Sequence, residues 1–524
     1  MTQPTNLTEL LRQAAASAPG HAALVEPGGS TTYAELDAAV DAAAHAFVGL
    51  GLGPGERVAV HLPNARAFVV AYLGAVRAGC VAVPLNPLAT ADELQDLLAD
   101  CGAAAVVTRT DGAGRIAGLR GALPELTHVL VDGEPPRARD GEPPLPRSAT
   151  VDWAELLRSA PTGAHAAGSA GEDLAALVYT AGTSGRPRAA MLSHRALLAN
   201  LEQCSAIEPP VVGPDEVVLI VLPLFHIYGL NTGLGMVLRH AATAVLLERF
   251  DPVETLQAVA QHEVTVLLGA PPIFVAWSLL PAVAESLTSV RLALSGAAPI
   301  PAVAHRRLLE ATGHVVFEGY GLTETAPVLT STLLSEVARP SSIGRPLPGV
   351  ELQLRDERGE EVDVDDPGEI VVRGANLFSG YWPDGSGGPD ADGWWATGDI
   401  AVADEAGELH LVDRLRELIL VSGFNVYPRE IEERLLRHPA IAQAAVIGIP
   451  HPYTGQAVRA LVVPTATGPT ADELTPEDVV AWCAAALARF KCPTSVQFVD
   501  ELPQGPLDKV SKGRLRALYG AVTS

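Results

Sequence analysis

The sequence predicts an α/β protein: a large N-terminal domain of parallel-sheet α/β subdomains with a small β-barrel-like subdomain, followed by a small α+β C-terminal domain. Three observations support this. Strand-like and helix-like segments alternate over most of the chain before residue 320, the pattern of parallel sheets with helices on both faces. From about 340 to 411 it changes to short alternating strands separated by Gly, Pro and Asp turns. Beyond Arg414 helix and strand alternate again in a compact unit, so the boundary is expected between 1–413 and 414–524. A chain of 524 residues has room for about two to four such domains.

The elements follow in order. Apolar residues recur at helical spacing from 7 to 50, interrupted by a turn at Gly28-Gly29 and a strand-like 31–33. Residues 49–64 pass through glycines into a strand. Their Gly-x-Gly precedes that strand, whereas a dinucleotide-binding fingerprint follows one, so a helix-to-strand turn is the reading taken. A helix is expected over 65–78, a strand over 80–85, a helix from a Thr90 cap to 100, and a strand over 103–108. The segment 133–147 is too rich in proline and charge to be core, and 161–173 reads as a flexible surface approach to the strand at 174–178. Further strands are expected over 244–247, 264–268, 290–294 and 315–318, with an exposed loop over 384–393. In the C-terminal unit the pattern gives helices over 428–436 and 475–488 and strands over 444–449, 456–463 and 495–498. No internal repeat is expected.

Composition narrows the function. Hydrophobic residues make up 48% and aromatics only 5%, so the core must be mostly Ala, Val and Leu. The formal net charge is −25, which argues against a nucleic-acid partner and an anionic membrane surface, because both need clustered Lys and Arg. Anionic substrates must then meet local cationic sites. The five cysteines, at 80, 101, 204, 483 and 492, form no CxxC pair and suggest reduced thiols of a cytoplasmic protein. The first twenty residues lack a basic start followed by an apolar core, so no secretory signal is expected. Two uncharged windows, 217–238 and 264–284, approach transmembrane length, but glycines and prolines interrupt both. They read as strand-then-loop segments, and no integral membrane association is expected.

The stretch 179–188, YTAGTSGRPR, is where the chemistry concentrates. Thr180, Thr183 and Ser184, Gly182 and Gly185, and Arg186 and Arg188 follow an apolar strand at 174–178. Glycines permit positive φ, so successive N–H groups can face one anion, while hydroxyls add donors and arginines add charge. No Walker A spacing is present. An ordinary surface turn has the same local composition.

This stretch resembles the phosphate loop of the adenylate-forming superfamily, which includes acyl-CoA synthetases, peptide-synthetase adenylation domains and luciferases. LPLFHIYGLN at 222–231, GYGLTET at 319–325, TGD at 397–399 with DRLRELILVSGFNVYPREIEE at 413–433, and LPQGPLDKVSKGRLR at 502–516 resemble further family motifs in the family's order. The resemblance covers essentially the whole chain and is closest to fatty-acyl- or aryl-CoA ligases. It implies ATP, Mg2+ and coenzyme A, and an acid adenylated with release of pyrophosphate before thioester formation. Carrier-protein pantetheine or another nucleophile as acceptor remains open, as does a nucleotide-binding protein impaired in catalysis. A kinase would release ADP instead of AMP.

The resemblance also assigns residues. The cradle is Thr180 to Arg188, including Ala181. Glu324 holds the metal, since magnesium with a nucleotide takes one or two carboxylates, and Thr323 bonds a phosphate oxygen. Tyr320 and Gly321 lie at the adenine, with Gly296, Ala297 and Ala298 lining the adenine and acyl sites. Asp399 takes the ribose diol, with Arg414 as its partner. Lys509 is the cation at the attacking carboxylate and α-phosphate, Lys512 being its near rival. His226 stands at the acyl-pocket wall, and Tyr228, Asn231, Thr232 and Gly269 shape that pocket. Gly423 meets the pantetheine arm after the C-terminal domain, a mobile lid in the family, swings about a hinge at 413–416 centred on Arg416. The sequence departs from the family at Ala181, usually serine or threonine, Arg188, usually lysine, and Ala189 and Asp508, usually glycine. Arg416 stands where lysine or aspartate is common. These put loop geometry and hinge torque in doubt and remove no required group.

Overall fold

Local signals set many helix starts. Thr32 and Thr90 each accept from the backbone N–H three residues on, while Glu35 and Glu93 reach back to the caps, and Thr475 with Asp478 repeats the device. The computed structural model describes residues 4–133, 150–180, 187–337, 339, 342–414, 417–421, 424–451, 455–465, 474–487, 489–504, 510 and 512–520. Within these the chain divides into two compact units: one built from residues up to Thr180, Pro187–Glu351 and Arg373–Trp395, the other from Leu352–Val372 and the chain from Ala396 on. The expected boundary at 413/414 thus falls inside the second unit.

The first unit holds two sheets. One runs in the order Thr150–Asp152, His128–Asp132, Ala105–Arg109, Arg57–His61, Val81–Pro84, Leu174–Thr180, Arg188–Ser193. Its neighbours are parallel except the last two, which form an antiparallel hairpin. In the other, Ala22–Glu26, Thr243–Leu246, Val217–Ile220, Val266–Gly269, Leu292–Ser295 and Val316–Gly321 are parallel neighbours in that order. Val328–Ser331 and Ser342–Pro346 continue it antiparallel. Ala, Val and Leu do dominate the buried residues, and all five cysteines are buried, none of them in a disulfide.

In the second unit, Trp395–Ala403 and Leu409–Arg414 pair antiparallel within the β-rich stretch. Farther on, Ile441–His451 and Gly455–Pro464 form a long antiparallel pair that is buried on both faces. Val446, Val458 and Val462 enter one apolar cluster with Ile431 and Leu435, whereas Ile447, Leu461 and Leu515 enter another. Side chains alternate along a strand, so one hairpin supplies both layers.

Three expectations are corrected. Residues 217–238 are not strand then loop: after Val217–Ile220 comes a π-helix, Tyr228–Gly235, continuing as the α-helix Met236–His240. Residues 264–284 likewise pass from a strand to the helix Pro271–Trp277, because proline in the first turn of a helix gives up an N–H that needs no partner there. The stretch 22–26, read as part of a helical run, is a strand. Among the described residues no helix is long and apolar enough to cross a membrane. The approach 161–173 is exposed yet fastened: Arg12 donates to the His165 carbonyl, the His165 N–H donates to Asp41 at 3.0 Å, and Asn6 donates to the Ser169 carbonyl at 2.6 Å. The segment 133–147 lies, beyond Gly133, outside the described residues.

Candidate active site

The stretch 180–188 joins the two strands of a hairpin. Thr180 and Arg188 stand opposite each other in register, and the Thr180 hydroxyl lies 3.4 Å from the Arg188 carbonyl oxygen, so both ends are pinned. Ala181, Gly182, Thr183, Ser184 and Gly185 between them lie outside the described residues.

A strap at 377–382 lies along the second strand of this hairpin. The Met191 N–H donates to the Gly380 carbonyl (3.0 Å), the Ser379 N–H to Met191 (2.9 Å) and the Trp382 N–H to Ala189 (2.9 Å). This lays the Tyr381 ring under the Arg188 guanidinium, 3.6 Å from its carbon to the ring centroid. The Tyr381 hydroxyl donates to Glu324 Oε1 at 2.7 Å.

Glu324 sits in a 3-10 turn, Thr323–Thr325, and is 7% exposed. Buried carboxamides from separate elements hold this turn. Asn231 donates to the Ala326 carbonyl at 2.7 Å and to Leu197 at 3.1 Å; Asn376 donates to Thr325 at 2.8 Å; Asn200 both donates to and accepts from Val328, at 2.7 and 3.0 Å. Backbone groups bound this way cannot shift without leaving a buried donor or acceptor unpaired. A Cβ on Gly321 would lie 1.8 Å from the Pro327 carbonyl oxygen, so only glycine fits beside the turn.

The segment 295–298 closes on the ends of parallel strands. The Gly296 N–H donates to the Gly269 carbonyl at 3.1 Å, and Ala297 adopts φ +72°, a left-handed conformation unusual for alanine. The Tyr228 ring lies against Gly296: a Cβ on Gly296 would come within 2.9 Å of Cε1. A Cβ on Gly269 would meet Phe274 at 2.7 Å. Burial pushes the Tyr228 phenol pKa up, so it remains protonated. His226 Nδ1 accepts from the Tyr228 N–H at 3.3 Å, at the entrance to the π-helix. Thr232, four residues after Tyr228, has a buried hydroxyl with no partner among the described residues, as does Ser295. Tyr320 is 9% exposed, in the strand that leads into the Glu324 turn.

In the second unit Asp399 is buried, in register with Arg414. Its N–H donates to the Thr397 hydroxyl at 3.1 Å, and the preceding Gly398 has φ +78°. The Arg414 side chain, Arg416, Gly423, Asp508 and Lys509 lie outside the described residues. Lys512 is described, and its ammonium bridges Glu417 at 2.7 Å and Glu432 at 3.0 Å.

Do these groups fit a magnesium nucleotide? A cage of three or more His, Cys, Asp or Glu is absent among the described residues, whereas Glu324 offers one carboxylate of which a single oxygen is occupied by a described partner. Magnesium bound through nucleotide phosphates and water needs no more protein ligands than that.

The hairpin of Leu174–Thr180 and Arg188–Ser193 thus stands beside the Glu324 turn on a parallel α/β body, joined to it through Tyr381. The family model described as AMP-binding enzyme matches residues 11–382, and that of the AMP-binding enzyme C-terminal domain matches 430–509. The chain belongs to the AMP-binding enzyme family, and within it to the AMP-forming acid–CoA ligases. It is 37% identical over 532 residues to a 3-[(3aS,4S,7aS)-7a-methyl-1,5-dioxo-octahydro-1H-inden-4-yl]propanoyl:CoA ligase of Mycobacterium tuberculosis, spanning 99% of both chains. It is 34% identical over 538 residues to a long-chain-fatty-acid–CoA ligase of Escherichia coli O157:H7, spanning 98% of this chain and 94% of that one. Its structure is similar to ATP-bound MatB from Rhodopseudomonas palustris, with TM-score 0.87, 33% identity and coverage of 98% and 99%.

Sequence reasoning missed Tyr381 and the carboxamides Asn200 and Asn376. Their contacts join segments far apart in the chain, and local pattern carries no signal of them.

Proposed function

We propose that this ligase adenylates a hydrophobic carboxylic acid, fatty or aryl, and passes the acyl group to CoA in the cytoplasm. A carboxylate oxygen attacks the α-phosphorus of ATP, the bond to the bridging oxygen breaks and pyrophosphate leaves. The CoA thiolate then attacks the acyl carbon and AMP leaves. The Thr180–Arg188 connection cradles the phosphates, Glu324 would hold magnesium with Thr323 beside it, and Tyr320 with residues 296–298 receives the adenine. Magnesium, when bound, neutralises charge on the triphosphate. Asp399 and Arg414 hold the ribose, His226, Tyr228, Asn231, Thr232 and Gly269 form the acyl wall, and residues 414–524 act as a lid turning at Arg416 to bring Gly423 to the pantetheine arm.

The observation that carries this reading is the clamped Glu324 turn next to the hairpin whose connection is the phosphate loop: charge in an in-line displacement is stabilised best by groups already fixed in place. A hydrophobic acid is supported by the apolar character of residues 264–280 and by relatives named for a bulky ring acid and a long-chain fatty acid. For the cation, Lys512 is already committed to two glutamates, which favours Lys509.

Carboxylate-dependent exchange of labelled pyrophosphate into ATP, across fatty, cinnamic and benzoic acids, tests the reading. Exchange is expected with one acid class and to fall by about 10²-fold or more in Lys509→Ala, the scale of losing one transition-state charge partner. Retained exchange in that variant removes Lys509 from the first step. Thioester formation with free CoA, but not with a phosphopantetheinyl carrier protein alone, identifies the acceptor.

A further inference from the structure

We propose that Tyr381 is a positioning residue for the Glu324 carboxylate, and that Arg188, stacked on its ring, holds it in that role. The proposal rests on the reading of Glu324 as the magnesium carboxylate.

A carboxylate on a two-carbon stem has free rotations that a metal site must remove before binding, and hydrogen-bonding outer partners do this in metalloproteins. Here the Tyr381 hydroxyl occupies Oε1 of Glu324 at 2.7 Å, which fixes the rotation of the carboxylate. The same strap fixes the backbone beneath, since the Phe378 N–H donates to the Glu324 carbonyl at 2.9 Å. Side chain and main chain of the glutamate are therefore referenced to one segment.

The tyrosine ring is itself confined. Phe378 meets it edge-on, with centroids 5.0 Å apart and planes at 77°, and the Arg188 guanidinium covers its face at 3.6 Å. Arg188 starts the strand that leaves the phosphate connection, and the strap is hydrogen-bonded along that strand, so ring and guanidinium are carried on paired backbones. A flat guanidinium stacks on an aromatic face, whereas an ammonium acts as a point charge with a larger hydration shell. The arginine found where the family usually has lysine thereby gains a second role, joining the phosphate end of the site to the metal end through one ring.

The test is titration of Mn2+ into the full-length protein with α,β-methylene-ATP, which cannot release pyrophosphate, reading free Mn2+ by electron paramagnetic resonance. Tyr381→Phe keeps the ring and deletes the donor. Its Mn2+ affinity is expected to weaken about 10-fold, the lower end for outer-shell partners, with metal-free nucleotide affinity unchanged. Its pyrophosphate exchange should recover as Mg2+ is raised. Arg188→Lys, which keeps the charge and loses the stack, should move Mn2+ affinity the same way. Glu324→Gln in the same titration should abolish nucleotide-dependent Mn2+ binding. Wild-type Mn2+ affinity in Tyr381→Phe, with binding lost in Glu324→Gln, overturns the positioning role and leaves the glutamate assignment standing. Wild-type affinity in Glu324→Gln overturns both.

Discussion

His194 and His61 are buried imidazoles whose pKa values burial lowers from the ordinary 6.5 to about 4. His194 Nδ1 accepts from the Leu7 N–H at 3.1 Å, and its Nε2 faces the Ser169 hydroxyl at 2.9 Å, so the neutral ring ties the N-terminal segment to the approach of the Leu174–Ser193 hairpin. A native state that keeps the ring neutral gains stability above the unfolded pKa and loses it as pH falls from 6.5 towards 4, because the unfolded chain alone takes the proton. Each such histidine adds a slope of up to about 1.4 kcal/mol per pH unit in that window. Urea unfolding of His194→Gln between about pH 6.5 and 4.5 should show a shallower pH slope than wild type by about this amount. An unchanged slope would mean that His194 is protonated in the native state.

Among elements, the strand Ser342–Pro346 depends on one glycine. Gly344 has φ +77°, and a Cβ there would lie 2.1 Å from the carbonyl carbon of Ser331 on the neighbouring strand. Gly344→Ala should therefore cost about 2–3 kcal/mol, combining a strained backbone with overpacking, read as a lowered urea midpoint. Little in the sequence marks this position, since the neighbouring strand that makes it critical is not a local feature. The parallel strands and their helices were legible because period 2 and period 3.6 are written in each segment. The π-helix Tyr228–Gly235 was not: its three glycines and one asparagine read as a loop, and only burial between the Leu197 helix and the Ala326 turn turns them into a widened helix. Asn231 illustrates the limit. Its amide donates to two carbonyls, one of them in the Glu324 turn 95 positions away, a tie that no local pattern signals.

For the molecule as a whole, two compact units with separate apolar clusters imply that unfolding is not a single event. Differential scanning calorimetry should give a calorimetric enthalpy larger than the van't Hoff value; equality would show one cooperative block. The fold class and the family were readable from sequence, since patterns spread over hundreds of residues survive local error. What was not readable is the wiring between distant segments: Tyr381 reaches Glu324 across 57 positions, and Asn200 reaches Val328 across 128.

The turn that carries Glu324 is gripped by asparagine side chains, groups that neither gain nor lose a proton over any pH at which the chain stays folded. Acid can weaken the protein through its buried imidazoles, but it has no handle on these amide contacts. As the solution is acidified, this chain should lose molecules from the native population while each survivor keeps the Glu324 turn in the same mount: fewer working copies, not slower ones, until the reacting groups themselves titrate.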